Sequence, residues 1–70
     1  MNIGQNIKIL RTVNNISQKE LAGKVGITPH YLSMIENNAK KPSLTLVEKF
    51  CQVLDISIAS MFSEISLNVN

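Results

Sequence analysis

The segment Ser17–Asn38, SQKELAGKVGITPHYLSMIENN, decides how this chain folds. Ser17 is a good N-cap, and Glu20 three residues later completes the pattern of a capping box. Leu21, Ala22 and Val25 fall on one helical face. Gly26 follows where that helix must stop and the chain must turn sharply. Thr28 caps the next helix, and Pro29 takes its first position, where a missing N–H costs nothing. Leu32 and Ile35 supply the inward face of this second helix, and small Ala22 lets the two helices approach closely. The spacing predicts two short helices joined by a tight turn, the order of parts in a helix-turn-helix.

Outward from this segment, the same signals predict three more helices. The first spans about Ile3 to Asn14, with Ile3, Ile7 and Leu10 on one face. The pair Asn14-Asn15 ends it, because Asn tolerates the left-handed backbone that such an end requires. Ile16 packs as the chain enters the Ser17 cap. The second and third helices run from about Gln18 to Lys24 and from about Pro29 to Asn37, with Asn38 as another left-handed stop. Lys40 and Lys41 form a basic loop before Pro42. Ser43 caps a fourth helix over Leu44–Leu54, with Leu44, Val47, Phe50, Cys51 and Leu54 as its buried stripe. Ser57 caps a short fifth helix over Ile58–Ser63. The tail ISLNVN alternates apolar and polar residues, as a short strand or a frayed end would. The expected class is all-α: one five-helix domain over residues 1–70, with its core in 3–62 and a tail in 63–70.

Composition narrows the function. Hydrophobic residues make up 44% of the 70, in a chain without low-complexity stretches, which fits one folded domain. A core this small supplies about 3–5 kcal/mol, so a second copy would help it. Seventy residues leave no room for an effector-sensing domain, and control by protein concentration is expected. Apolar runs are too short to span a bilayer and no signal peptide is visible, so a cytoplasmic protein is expected. The single Cys51 cannot form an internal disulfide and reads as a small buried hydrophobe. His30 has no second His or Cys pair to share a metal with, and no nucleophile–base set can be assembled. The expectation is therefore a protein without enzymatic activity, metal or cofactor.

Charge is unevenly spread. Residues 1–41 hold Lys8, Arg11, Lys19, Lys24, Lys40 and Lys41 against Glu20 and Glu36, a balance of +4. Residues 42–70 hold Lys49 against Glu48, Asp55 and Glu64, a balance of −2. The positive half contains the helix-turn-helix, where a phosphate backbone would be attracted. A solvated surface with chance imbalance would give the same numbers.

Taken in order, IGQNIKILR, SQKELAGKVGI, YLSMIENN and KKPSLTLVEKFCQVLDISIASMF resemble the lambda-repressor-like (Cro/repressor, xenobiotic-response-element) helix-turn-helix family, over about Ile3 to Phe62. The family often has Gly where this chain has Asn15 and Asn38. The resemblance implies a regulator of transcription that binds operator DNA as a symmetric dimer. It is compatible with a phage Cro-like repressor, a restriction–modification controller protein, or an antitoxin that represses its own operon. RNA polymerase or a cognate toxin would be further partners. A protein-interaction module that keeps the fold without binding DNA is the alternative from another class.

By the same resemblance, the third helix enters the major groove, and base edges are met by Thr28, Pro29, His30, Ser33 and Met34, with Tyr31 at the margin. His30 suits guanine N7 or O6, and the Thr28 methyl, Pro29 and Met34 suit thymine methyl groups. This set lacks the Gln and Arg residues that often read bases, so DNA shape is expected to carry much of the specificity. Each residue also has a plainer reading: His30 as a surface histidine, Tyr31 packed on the fourth helix, Met34 at the core edge. Gln18 is the implied backbone-phosphate contact, with Lys19, Asn37, Lys40 and Lys41 as further candidates. Such contacts position the protein without reading sequence. Lys19 reads equally as a solvated lysine. Arg11 and Glu36 occupy positions that the family pairs in a partly buried ion pair. Two copies would read half-sites about 34 Å apart. The expected dimer surface is Ile58, Met61, Phe62 and Ile65, extended by Leu67 and Val69, unless Ile58 and Phe62 simply close the monomer core.

Overall fold

The computed structural model describes residues 2–63, all-helical in their regular structure, and five helices follow one another: α1 (Ile3–Val13), α2 (Gln18–Val25), α3 (Pro29–Glu36), α4 (Leu44–Leu54) and α5 (Ile58–Met61). The alternating tail and the residues Ile65, Leu67 and Val69 lie outside the described part.

Every helix starts on a side-chain cap. Ser17, Thr28, Ser43 and Ser57 each accept from the backbone N–H three residues on, at 3.0–3.2 Å. Asn2, not expected from the sequence, does the same for α1 through Gln5 at 2.8 Å. Each cap satisfies one orphan donor of a helix start and is worth about 1 kcal/mol. The capping box at Ser17 closes on one side only, since the exposed Glu20 carboxylate stays in water.

The first four helices end alike. Asn15, Gly26, Asn38 and Asp55 have φ of 58°, 83°, 63° and 56°. After each, the next residue's N–H reaches five positions back: Ile16 to Arg11, Ile27 to Ala22, Ala39 to Met34, Ile56 to Cys51. This is the Schellman arrangement, a left-handed residue followed by an apolar one that folds back onto the helix. Three of these stops follow from Asn and Gly in the sequence, while the stop at Asp55 does not.

The core is built from Ile7, Leu21, Leu32, Ile35, Phe50 and Met61, all fully buried, with Ala22, Val25, Val47, Cys51 and Leu54 around them. α3 rests on α1 and α2, while α4 underlies α2 and carries α5. Two expectations change. Leu44 is 61% exposed, and Leu46 is buried instead. Helical side chains lean toward the N-terminus. At the first position of α4, Leu44 therefore leans off the helix end. Met61 is fully buried, so it belongs to the monomer core and not to a dimer surface. The helix that carries it is a single turn packed on α1 and α4, and its inward side chain has nowhere else to go.

α5 also ends earlier than expected, at Met61 rather than Ser63. The buried Asn6 of α1 spends both amide protons there, donating to the Met61 and Ser63 carbonyls at 2.8 Å each. The Met61 carbonyl is an orphan of the helix end, and a side chain 55 positions away satisfies it in the core. Asn6→Ala is expected to cost about 1–3 kcal/mol by leaving the buried Met61 carbonyl oxygen unpaired. Thermal denaturation checks this, and an unchanged melting temperature would discount the clamp.

Candidate nucleic-acid interface

α3 is held from behind by Leu32 and Ile35, both without solvent exposure, and this fixes which residues face outward. Thr28, Pro29 and His30, at its N-terminal end, are exposed. Tyr31, Ser33 and Met34 are half-buried. Tyr31 packs against the hydrophobic core. Thr28 uses its hydroxyl oxygen to accept from the Tyr31 N–H at 3.0 Å, so its methyl group and the hydroxyl proton remain for other contacts.

The other end of α3 is anchored by a buried ion pair. Arg11 Nε donates to Glu36 Oε2 at 2.7 Å and Arg11 Nη2 to Glu36 Oε1 at 3.2 Å, a two-pronged match of guanidinium and carboxylate. The Glu36 side chain is 1% exposed and that of Arg11 14%. Arg11 Nη1 also donates to the Ile16 carbonyl at 2.9 Å, which ties in the α1–α2 connection. Gln18 Nε2 donates to Glu36 Oε1 at 2.9 Å. This last bond was missed, because no local pattern relates the first residue of α2 to the last of α3. It orients the Gln18 amide and leaves its second N–H for an outside acceptor.

Lys19, Asn37, Lys40 and Lys41 are exposed. The Ala39 and Lys40 N–H groups both donate to the Met34 carbonyl, at 2.8 and 3.3 Å, which folds the lysine loop back under the last turn of α3. Because Arg11 and Glu36 neutralise each other, the exposed charge over residues 2–41 is five lysines against the single Glu20. That surface flanks α3 on both sides in the chain and would attract a polyanion.

The remaining chemistry is quiet. Burial, and secondarily the Glu48 carboxylate, push the Cys51 thiol above its ordinary range. It therefore stays protonated at neutral pH, with its Sγ 4.0 Å from the Ser57 carbonyl oxygen, and is a poor nucleophile. Among the described residues, no group of three His, Cys, Asp or Glu is placed to hold a metal ion, and no helix is long and apolar enough to cross a membrane.

The helix-turn-helix family model matches residues 7–60, from Ile7 in α1 into α5. The chain belongs to the helix-turn-helix family, of the Cro/C1 type. The HTH-type transcriptional regulator SinR of Bacillus subtilis is 43% identical over 63 residues, which are 89% of this chain and 57% of that protein. The antitoxin PezA of Streptococcus pneumoniae is 37% identical over 62 residues, 89% of this chain and 39% of the other. The chain thus spans little more than half the length of these curated relatives, or less. The crystal structure of SinR, the master regulator for biofilm formation, in complex with DNA superposes with a TM-score of 0.80 at 42% identity. The match covers 87% of this chain and 98% of that one. The restriction–modification controller protein C.AhdI of Aeromonas hydrophila superposes at 0.82 with 31% identity, over 87% and 92% of the two chains. The fold and family thus agree with the resemblance read from the sequence.

Proposed function

We propose that this protein binds double-stranded DNA as a homodimer and regulates transcription in the cytoplasm, without enzymatic activity. The observation that carries this reading is the near-complete overlap with the SinR chain crystallised on DNA. The α3 end formed by Thr28, Pro29 and His30 meets base edges, with Ser33 and Met34 behind it and Tyr31 at the margin. Gln18, Lys19, Asn37, Lys40 and Lys41 take backbone phosphates. Arg11 and Glu36 hold α3 in place between them.

The dimer surface uses Ile58, 38% exposed, and the half-buried Phe62, with Ile65 beyond the described residues. Sedimentation at micromolar concentration tests it, since a species of 7.8 kDa alone would reject the dimer.

DNA binding is tested by gel-shift titration with duplex DNA at several salt concentrations. Three lysines per protomer on phosphates give a dimer a slope of log K against log salt of about −5 or steeper. No shift, or a shift indifferent to salt, would sink the reading. The similarity to PezA favours a second setting, an antitoxin that represses its own operon. Co-purification with a toxin encoded beside it would separate this from a free-standing regulator or a restriction–modification controller. RNA polymerase is the further partner of an activator.

A further inference from the structure

The two carbonyls that Asn6 holds lie on either side of Phe62, a residue assigned to the dimer surface. α5 needs such a hold. It is four residues long, and a single turn of helix is not stable by itself in water. Met61 is its fully buried side chain and anchors the turn from within. Past Met61, the Phe62 and Ser63 N–H groups donate to the Ile58 and Ser60 carbonyls at 3.2 and 3.1 Å, and the Ser63 hydroxyl donates to the Ser60 carbonyl at 2.7 Å. These bonds close the turn on itself and do not fix its setting against α1. The buried Asn6 amide does, at two oxygens 2.8 Å away. Phe62 packs partly on the core and is half-buried, so the edge it shows to a partner depends on the backbone on both sides of it.

We propose that Asn6 is a positioning residue for dimerisation, which presets the α5 surface of Ile58 and Phe62 for a second copy of this chain. The proposal rests on the α5 dimer reading above. α1 gives the hold a longer reach. On the same helix, Arg11 grips Glu36 at the end of α3, so α1 ties the dimer surface at one point and the candidate reading face at another. Two copies joined through α5 therefore hold their α3 helices at a set separation, as half-sites one helical turn apart require. The size of the effect follows from pre-organisation. A binding surface in place only part of the time binds more weakly by that fraction. In a symmetric dimer each copy contributes the fraction once, so it enters squared. An α5 end in place about a third of the time without Asn6 raises the dimer Kd about tenfold.

The test is sedimentation equilibrium over a range of concentrations, on wild type, Asn6→Ala and Val25→Ala, at a temperature where circular dichroism shows each to be folded. Val25 is buried at the end of α2, which packs on α3 and α4, so its truncation lowers stability and leaves the Asn6 clamp intact. Asn6→Ala is expected to raise the dimer Kd about tenfold. Val25→Ala should leave it unchanged. Hydrogen exchange on the dilute monomer supplies the local readout: in Asn6→Ala, residues 58–63 should lose protection ahead of residues 18–25. If Asn6→Ala does not fold, Asn6→Gln takes its place, with both N–H donors kept on a longer stem and the same direction expected. A dimer Kd unchanged in the Asn6 variant, or raised equally in Val25→Ala, would overturn the positioning role alone. Wild type sedimenting only as the 7.8 kDa species would overturn the dimer reading and the positioning role with it.

Discussion

Arg11→Ala is expected to leave the protein largely unfolded at room temperature. The substitution removes three hydrogen bonds at once, two to Glu36 and one to the Ile16 carbonyl. What remains matters more than what is lost. Glu36 keeps a carboxylate that is 1% exposed, with Gln18 as its remaining donor. Breaking such a buried pair from one side costs about 3–5 kcal/mol. A domain of this size holds about 3–5 kcal/mol in total, so the loss is comparable with the whole stability. Circular dichroism melting reads it directly: a fall of about 12 °C or more, at 4–8 °C per kcal/mol. Arg11→Met combined with Glu36→Leu should recover much of the loss, because it removes both charges and refills the space with apolar atoms. That double variant separates an uncompensated charge from lost packing. An unchanged melting temperature for Arg11→Ala would reject the pair as a structural tie.

The frame of this fold was legible in the sequence because it is written in local chemistry. Ser17, Thr28, Ser43 and Ser57 announce helix starts by their own side chains, and Asn15, Gly26 and Asn38 announce stops by tolerating a left-handed backbone. What escaped depends on partners far along the chain. Asn6 sits on the inward face of α1, but a periodicity argument assigns polar residues to water. Only its bonds to the Met61 and Ser63 carbonyls explain its burial. Met61 reads as surface in the sequence because it lies on a short amphipathic turn, and that turn shows its inward side only after α1 and α4 are in place. The candidate site divides in the same way. Helical geometry separates Leu32 and Ile35 from Thr28, Pro29 and His30, whereas the Gln18–Glu36 bond exists only once α2 and α3 meet.

Gly4→Ala and Gly23→Ala are expected to move stability in opposite directions, although both replace a helical glycine by the best helix former. At an exposed helical site this change gains up to about 1 kcal/mol, because the unfolded chain loses freedom it no longer has to surrender. Gly23 is such a site: a Cβ there meets no heavy atom within 4 Å. Its substitution should raise the melting temperature by about 4 °C or somewhat more. Gly4 is buried in α1, where that helix crosses the end of α3. A Cβ there would run into the Ile35 carbonyl oxygen and lie 2.8 Å from Asn38 Oδ1. The Asn38 side chain can swing aside, but the Ile35 carbonyl is backbone and also accepts from the Asn38 N–H at 3.1 Å. Relief therefore requires α1 and the last turn of α3 to part. That separation strains the Arg11–Glu36 pair, which bridges the same two helices. Overpacking of this kind costs about 1–3 kcal/mol, enough to reverse the helix-propensity gain. Paired thermal melts decide the matter. If Gly4→Ala stabilises the protein as Gly23→Ala does, the close approach of α1 to α3 is not what requires glycine at position 4.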